Sequence, residues 1–143
     1  MTRMHSFGRK MLALALLSAV AVGGLGCATT QPEDFRRIGM VIGVKEDRLA
    51  EYKSVHADSN PGVRDLLEKA NMKNFTIFMH QLDDGKYYLF GYWEYHGDDF
   101  DKDMAIIDAE QRNIEWLEMT SPMQVPLKGE KAWVNMEQVY HND

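Results

Sequence analysis

Residues 73–96 constrain this chain more than any other stretch, because they encode two alternating strands across one tight turn. From Lys73 to Leu82, Phe75, Ile77 and Met79 share one phase while Thr76, Phe78 and His80 share the other. Asp83-Asp84-Gly85 is a hairpin signal, since glycine tolerates the positive φ of such turns and aspartate bonds the backbone just ahead of it. Lys86 to His96 then alternates again. Tyr88, Phe90, Tyr92 and Glu94 fall on one face, and Leu89, Gly91, Trp93 and Tyr95 on the other. The two strands pair antiparallel, and the remaining elements must extend or cover this hairpin.

Before it, R-I-G-M-V-I-G-V predicts a strand opening at Arg36 or Arg37, with Ile38, Met40, Ile42 and Val44 opposite a phase of Gly39, Val41 and Gly43. The acidic Glu46 and Asp47 suit the positive end of a helix that runs to about Ala57. Asp58-Ser59-Asn60-Pro61-Gly62 breaks it, and Val63 to Ala70 resumes as a second helical piece. After the hairpin, Asp98-Asp99 opens a helix to about Glu110, and Gln111 to Thr120 is a further helical piece carrying Trp116. A Pro/Gly loop reaches Gly129, and Trp133 to Tyr140 reads as the last strand. The order β-α-β-β-α-β predicts an α+β, ferredoxin-like domain with a four-stranded antiparallel sheet and helices on one face. The other face is left open and partly apolar. A homodimer that pairs two such sheets covers it, with each site between sheet and helices.

The amino terminus has a different character. Residues 1–26 carry Arg3, Arg9 and Lys10 but no acid, followed by an uncharged run from Met11 to Gly26, the layout of a cleaved signal peptide. That apolar run is shorter than the roughly 20 residues a membrane span needs. Cys27, the only cysteine of the chain, follows Leu25-Gly26 and precedes a polar tract, as at a bacterial lipoprotein cleavage site. The pattern predicts lipidation at Cys27, a tether over 27–36, and a domain over 37–143 exported to the cell envelope, on the periplasmic side of the outer membrane. Loss of Arg3, Arg9 and Lys10 takes the formal charge from −6 to about −9. So acidic a body argues against nucleic acid as a partner and against anionic lipid, except through an anchor.

Two constellations can carry chemistry. Leu49, Tyr52 and His56 share a helix face, placing an imidazole, which exchanges protons near neutrality, beside a phenol. The same spacing also describes a helix that packs its tyrosine in the core and ends on a surface histidine. Glu94, in phase with Tyr88, Phe90 and Tyr92, can either accept hydrogen bonds from sugar hydroxyls or act as an acid whose pKa burial raises. His80, His96 and His141 form no metal-binding spacing, so a zinc site has little support in the sequence.

With these elements in place, the chain from Arg37 to Asp143 resembles the L-rhamnose mutarotase family, small dimeric α/β-barrel proteins. The resemblance is carried by R-I-G-M-V-I-G-V, by E-Y-x-x-x-H at Glu51, Tyr52 and His56, and by Pro61. It continues through K-N-F-T-I-F with Asn74, L-F-G-Y-W-E ending in Glu94, E-W-L-E-M with Trp116, and the terminal M-E-Q-V-Y-H-N-D. The resemblance implies an isomerase that interconverts the anomers of L-rhamnose or a related sugar without metal or redox cofactor. It implies His56 as the proton-transferring group, with Tyr52 and Trp116 contacting substrate; Phe75, Tyr92 and Glu94 are the further substrate-binding candidates. Family members commonly carry aromatic residues where this chain has Asn60 and Glu115, and a tyrosine at Phe75. A carbohydrate-binding lipoprotein on the same fold, without catalysis, is the alternative.

Overall fold

The computed structural model describes residues 35–142; the expected signal peptide, Cys27 and most of the expected tether lie outside the described residues. Strand β1 (Arg36–Val44) is followed by a 3-10 turn (Glu46–Arg48) and the helices α1 (Leu49–Val55) and α2 (Arg64–Lys69). The hairpin of β2 (Met72–Gln81) and β3 (Tyr87–Tyr95) comes next, then α3 (Phe100–Ala109) and α4 (Gln111–Thr120). A 3-10 turn (Ser121–Met123) leads into β4 (Gln124–Val125), and β5 (Val134–Met136) closes the sheet. Sheet order is β2-β3-β1-β4, with β5 also on β1 and every pairing antiparallel. This is the ferredoxin-like α+β arrangement the element order predicts.

The fourth position of the sheet differs from expectation. It is filled by two short pieces, β4 against Gly43 and Val44 and β5 against Gly39 to Val41. The predicted strand from Trp133 to Tyr140 is thus real only over Val134–Met136, and Gln124–Val125, read as loop, is sheet. A two-residue strand shows no alternation to detect. Beyond Met136 the chain leaves the sheet, with Val139 87% and Tyr140 77% exposed.

The register assigns the faces. Opposed residues of an antiparallel pair point the same way, and Ile38↔Trp93, Ile42↔Leu89 and Leu89↔Met79 all lie on the face the helices cover. Ile42, Val44, Leu89 and Met123 form its centre with Tyr52 of α1. Val63, Leu66, Ala70 and Ile107 join α2 to α3, and Ile38, Trp93 and Tyr95 pack against Phe100 and Met104. Strand β2 carries an irregularity between Lys73 and Thr76, with Asn74 at φ 53°. The extra residue lets Phe75 join Met72, Ile77 and Met79 on the helix-covered side while Lys73 turns away.

Asp99 caps α3 as its position suggests, accepting from the Lys102 backbone N–H at 3.2 Å. Among the described residues, no helix is long and apolar enough to cross a membrane. The opposite face of the sheet shows Phe78 62%, Val125 43% and Met136 43% exposed.

Candidate active site

The site is assembled where α1 ends. Tyr52 is drawn into the core, 3% exposed, and His56 one turn later caps the helix. The Tyr52 carbonyl meets His56 Nδ1 at 2.8 Å. A carbonyl can only accept, so Nδ1 carries the proton and donates, leaving Nε2 as the acceptor of the neutral ring. The two rings stack at 4.2 Å and 24°, and the Trp116 indole of α4 meets the imidazole edge-on at 5.2 Å and 73°. Tyr52, His56 and Trp116 line one cavity of about 790 Å³ between helices and sheet, within the range of small-molecule sites. Its floor is apolar, built from Ile77, Met79 and Leu89.

The loop after His56 is tied by its own side chains. Asn60 Nδ2 donates to the Val55 carbonyl at 2.9 Å and its Oδ1 accepts from the Gly62 N–H at 3.2 Å. Arg64 donates to the carbonyls of Asn60 (2.5 Å), His56 (3.1 Å) and Ala57 (3.3 Å). A cation there bonds the His56 carbonyl at the end of α1 and reinforces the turn in which the Ala57 carbonyl already accepts from the Asn60 N–H at 2.9 Å. Gly62 sits at φ 53°, and a Cβ on it would stand 3.1 Å from two ring carbons of Trp116. Backbone conformation and the indole both ask for glycine here.

Burial lowers the His56 pKa from its ordinary 6.5; the Tyr52 carbonyl opposes this, and the Arg64 charge adds to it. The ring is therefore neutral at pH 7 and able to accept a proton. Burial also pushes the Tyr52 phenol up to about 12, against a hydrogen bond with the Gln124 side chain, so it stays un-ionised. Because folded His56 binds its proton less tightly than the unfolded chain does, the stability it contributes is present above about pH 6.5 and lost as pH falls through its folded midpoint. An NMR titration should place that midpoint below 6.5, and Arg64→Gln should move it up. No upward movement would remove the Arg64 charge from the site.

Not all the expected residues meet. Phe75, Tyr52, His56 and Trp116 line the cavity, with Asn60 at its edge. Tyr92 and Glu94 do not, because their phase of β3 points to the open face of the sheet. There the Glu94 carboxylate accepts from His96 Nε2 (3.0 Å), the Tyr92 hydroxyl (2.8 Å) and Asn74 Nδ2 (2.6 Å). Those bonds, the one from His96 foremost, hold its pKa below the carboxylate range, so it is no raised-pKa acid. Alternation groups Glu94 with the tyrosines correctly but says nothing of which face the helices cover.

Glu115 also points away, accepting from Gln111 Nε2 at 3.0 Å on the outer side of α4. Sequence reasoning missed Asn113, Gln124 and Trp133, which line the cavity. Of these only Asn113 had a usable signal, its place three residues before Trp116 on the same helix face. No trio of His, Cys, Asp or Glu among the described residues is placed to hold a metal ion.

A family model described as L-rhamnose mutarotase matches residues 37–142. Seven chains of solved structures match the fold. An L-rhamnose mutarotase from Formosa agariphila superposes with a TM-score of 0.57 at 16% identity, covering 76% of this chain and 99% of that one. A Nitrosomonas europaea protein assigned as an antibiotic biosynthesis monooxygenase gives 0.48 at 16% identity, over 74% and 91%. At such identities the solved structures speak to fold alone. No curated protein sequence matches.

Proposed function

We propose that this chain, which belongs to the L-rhamnose mutarotase family, is an isomerase interconverting the α and β anomers of L-rhamnose or a related sugar. The observation that carries the reading is His56, with Nδ1 fixed on the Tyr52 carbonyl and a neutral ring stacked in the wall of the cavity. Anomer exchange needs the proton of the anomeric hydroxyl removed while the C1–O5 bond opens and O5 takes a proton from solvent. Rotation about C1–C2 then presents the other face of the aldehyde. Ring closure returns the imidazolium proton to O1 as the O5 hydroxyl adds to C1 and releases its proton. His56 Nε2 serves both directions, since an imidazole titrates near neutral pH. Trp116 offers an apolar face to the C–H side of a sugar ring.

The test is exchange NMR on equilibrating anomers of L-rhamnose, L-fucose and related sugars. The expected result is exchange faster than in buffer for at least one sugar, and no acceleration for any of them overturns the reading.

Two copies pairing their open sheet faces, as a dimeric α/β barrel, complete the proposed assembly. Phe78, Val125 and Met136, all exposed there, support it. Phe78→Glu should then shift the sedimentation coefficient from dimer to monomer, and a monomeric wild type rejects the pairing. Export and acylation at Cys27, which would anchor the domain in the cell envelope, are supported by the sequence pattern of residues 1–27. Mass spectrometry of the mature chain should find residue 27 at the amino terminus with acyl mass added; an unmodified Cys27 thiol ends that proposal.

A further inference from the structure

We propose that Asn113 is a specificity-determining residue of the cavity, its side-chain amide hydrogen-bonding a hydroxyl of the bound sugar; this rests on the mutarotase reading above. Asn113, Trp116, Leu117 and Thr120 stand at i, i+3, i+4 and i+7 of α4, and all four line the cavity. On such a stripe an apolar side chain is the ordinary choice. Asn113 is instead an amide that is only 6% exposed.

Its side chain has no hydrogen-bond partner among the described residues; only its backbone N–H is used, donating to the Glu110 carbonyl at 2.9 Å. Two other amides of the cavity are engaged. Asn60 is bonded at both ends within its loop, and Asn74 donates to Glu94. The Thr120 hydroxyl likewise donates to the Trp116 carbonyl at 2.9 Å. Among the described residues the fully buried unpartnered side-chain atom is Trp93 Nε1, so the Asn113 amide still reaches solvent, and it lines the cavity. Lining the cavity without a protein partner, the amide is free to bond a ligand held there.

The chemistry of the amide indicates what it reads. A side chain that both donates and accepts matches a hydroxyl, which does the same, better than it matches a carbonyl or an ammonium. The indole of Trp116, one turn on, covers the apolar side of a ring whose hydroxyl Asn113 holds. Phe75 has no hydroxyl, Asn60 is spent on its loop, and Glu115 faces outward.

Asn113→Leu tests this, because leucine keeps the shape and deletes the hydrogen bonding. With the amide unpaired in the free protein, the variant should melt no lower than wild type. Its KM for the sugar should rise about tenfold or more, with kcat changed less. Among singly deoxygenated analogues of the substrate, wild type should reject one by about the same factor and Asn113→Leu should not discriminate against it. Asn113→Asp, keeping an acceptor only, should fall between the two.

An Asn113→Leu protein with unchanged KM, or with the analogue discrimination intact, overturns the proposal. So does a variant that fails to fold or melts well below wild type, since that gives the amide a structural partner. If wild type itself accelerates no sugar, the mutarotase reading falls and takes this inference with it. Exchange by wild type together with an indifferent Asn113→Leu sinks the inference alone.

Discussion

His56→Asn is expected to lower the anomer-exchange rate by roughly 10²–10⁴, the usual contribution of a positioned acid/base group, while sugar still binds. Asparagine places an amide nitrogen about where Nδ1 stands, so the 2.8 Å bond to the Tyr52 carbonyl can be kept and the end of α1 held. What disappears is Nε2, the atom proposed to take the anomeric proton. The Trp116 indole and the Tyr52 ring remain to receive the sugar, so ligand-observed NMR should still detect binding and circular dichroism should match wild type. Exchange that persists at the wild-type rate would assign the proton transfer elsewhere. Among the other side chains lining the cavity, the Tyr52 phenol is a poor substitute, since burial pushes its pKa up to about 12 and holds it un-ionised.

How much of this could be read from residues alone depends on the period each element shows. The hairpin was legible because nine- and ten-residue strands repeat their alternation several times, and a turn with Asp-Asp-Gly interrupts it once. The Tyr52–His56 pair was legible because a helix holds i and i+4 together whatever covers it. Face identity was not, since both phases of β3 carry aromatic rings. Only the packing of α1 through α4 on the Leu89 and Trp93 side shows that Glu94 lies away from the cavity. β4 has two residues and therefore no period, and its place beside β1 is fixed by the chain leaving α4 through Pro122. Asn113 was half hidden for another reason. Its place three residues before Trp116 puts it on the same helix face, but in Q-R-N-I-E it sits among polar residues and reads as solvated surface until its burial is seen.

Leu89→Ala should cost the domain about 2–5 kcal/mol, the loss usual for truncating a fully buried leucine. Leu89 is 0% exposed at the centre of the sheet, opposite Ile42 of β1 and Met79 of β2 in register. Truncation removes contacts from three strands at once. Backbone hydrogen bonds on both sides of β3 prevent the strands from closing on the gap, which puts the expected cost toward the upper end of the range. Against a typical total of about 5–15 kcal/mol, that is a large share, and the melting temperature of a domain this size should fall by roughly 10 °C or more.

Leu89→Met, which conserves volume, should lose less than about 1.5 kcal/mol. A loss under about 1 kcal/mol for alanine, by thermal and urea denaturation, would mean that this cluster is not the core. Leu89 also underlies the candidate site, because Tyr52 packs in the same cluster and the leucine forms part of the cavity floor. If the Tyr52 ring settles into the space left, the stack that holds His56 settles with it. Leu89→Ala assayed well below its melting point should therefore raise KM and lower kcat together, whereas a core residue remote from the cavity should change stability alone.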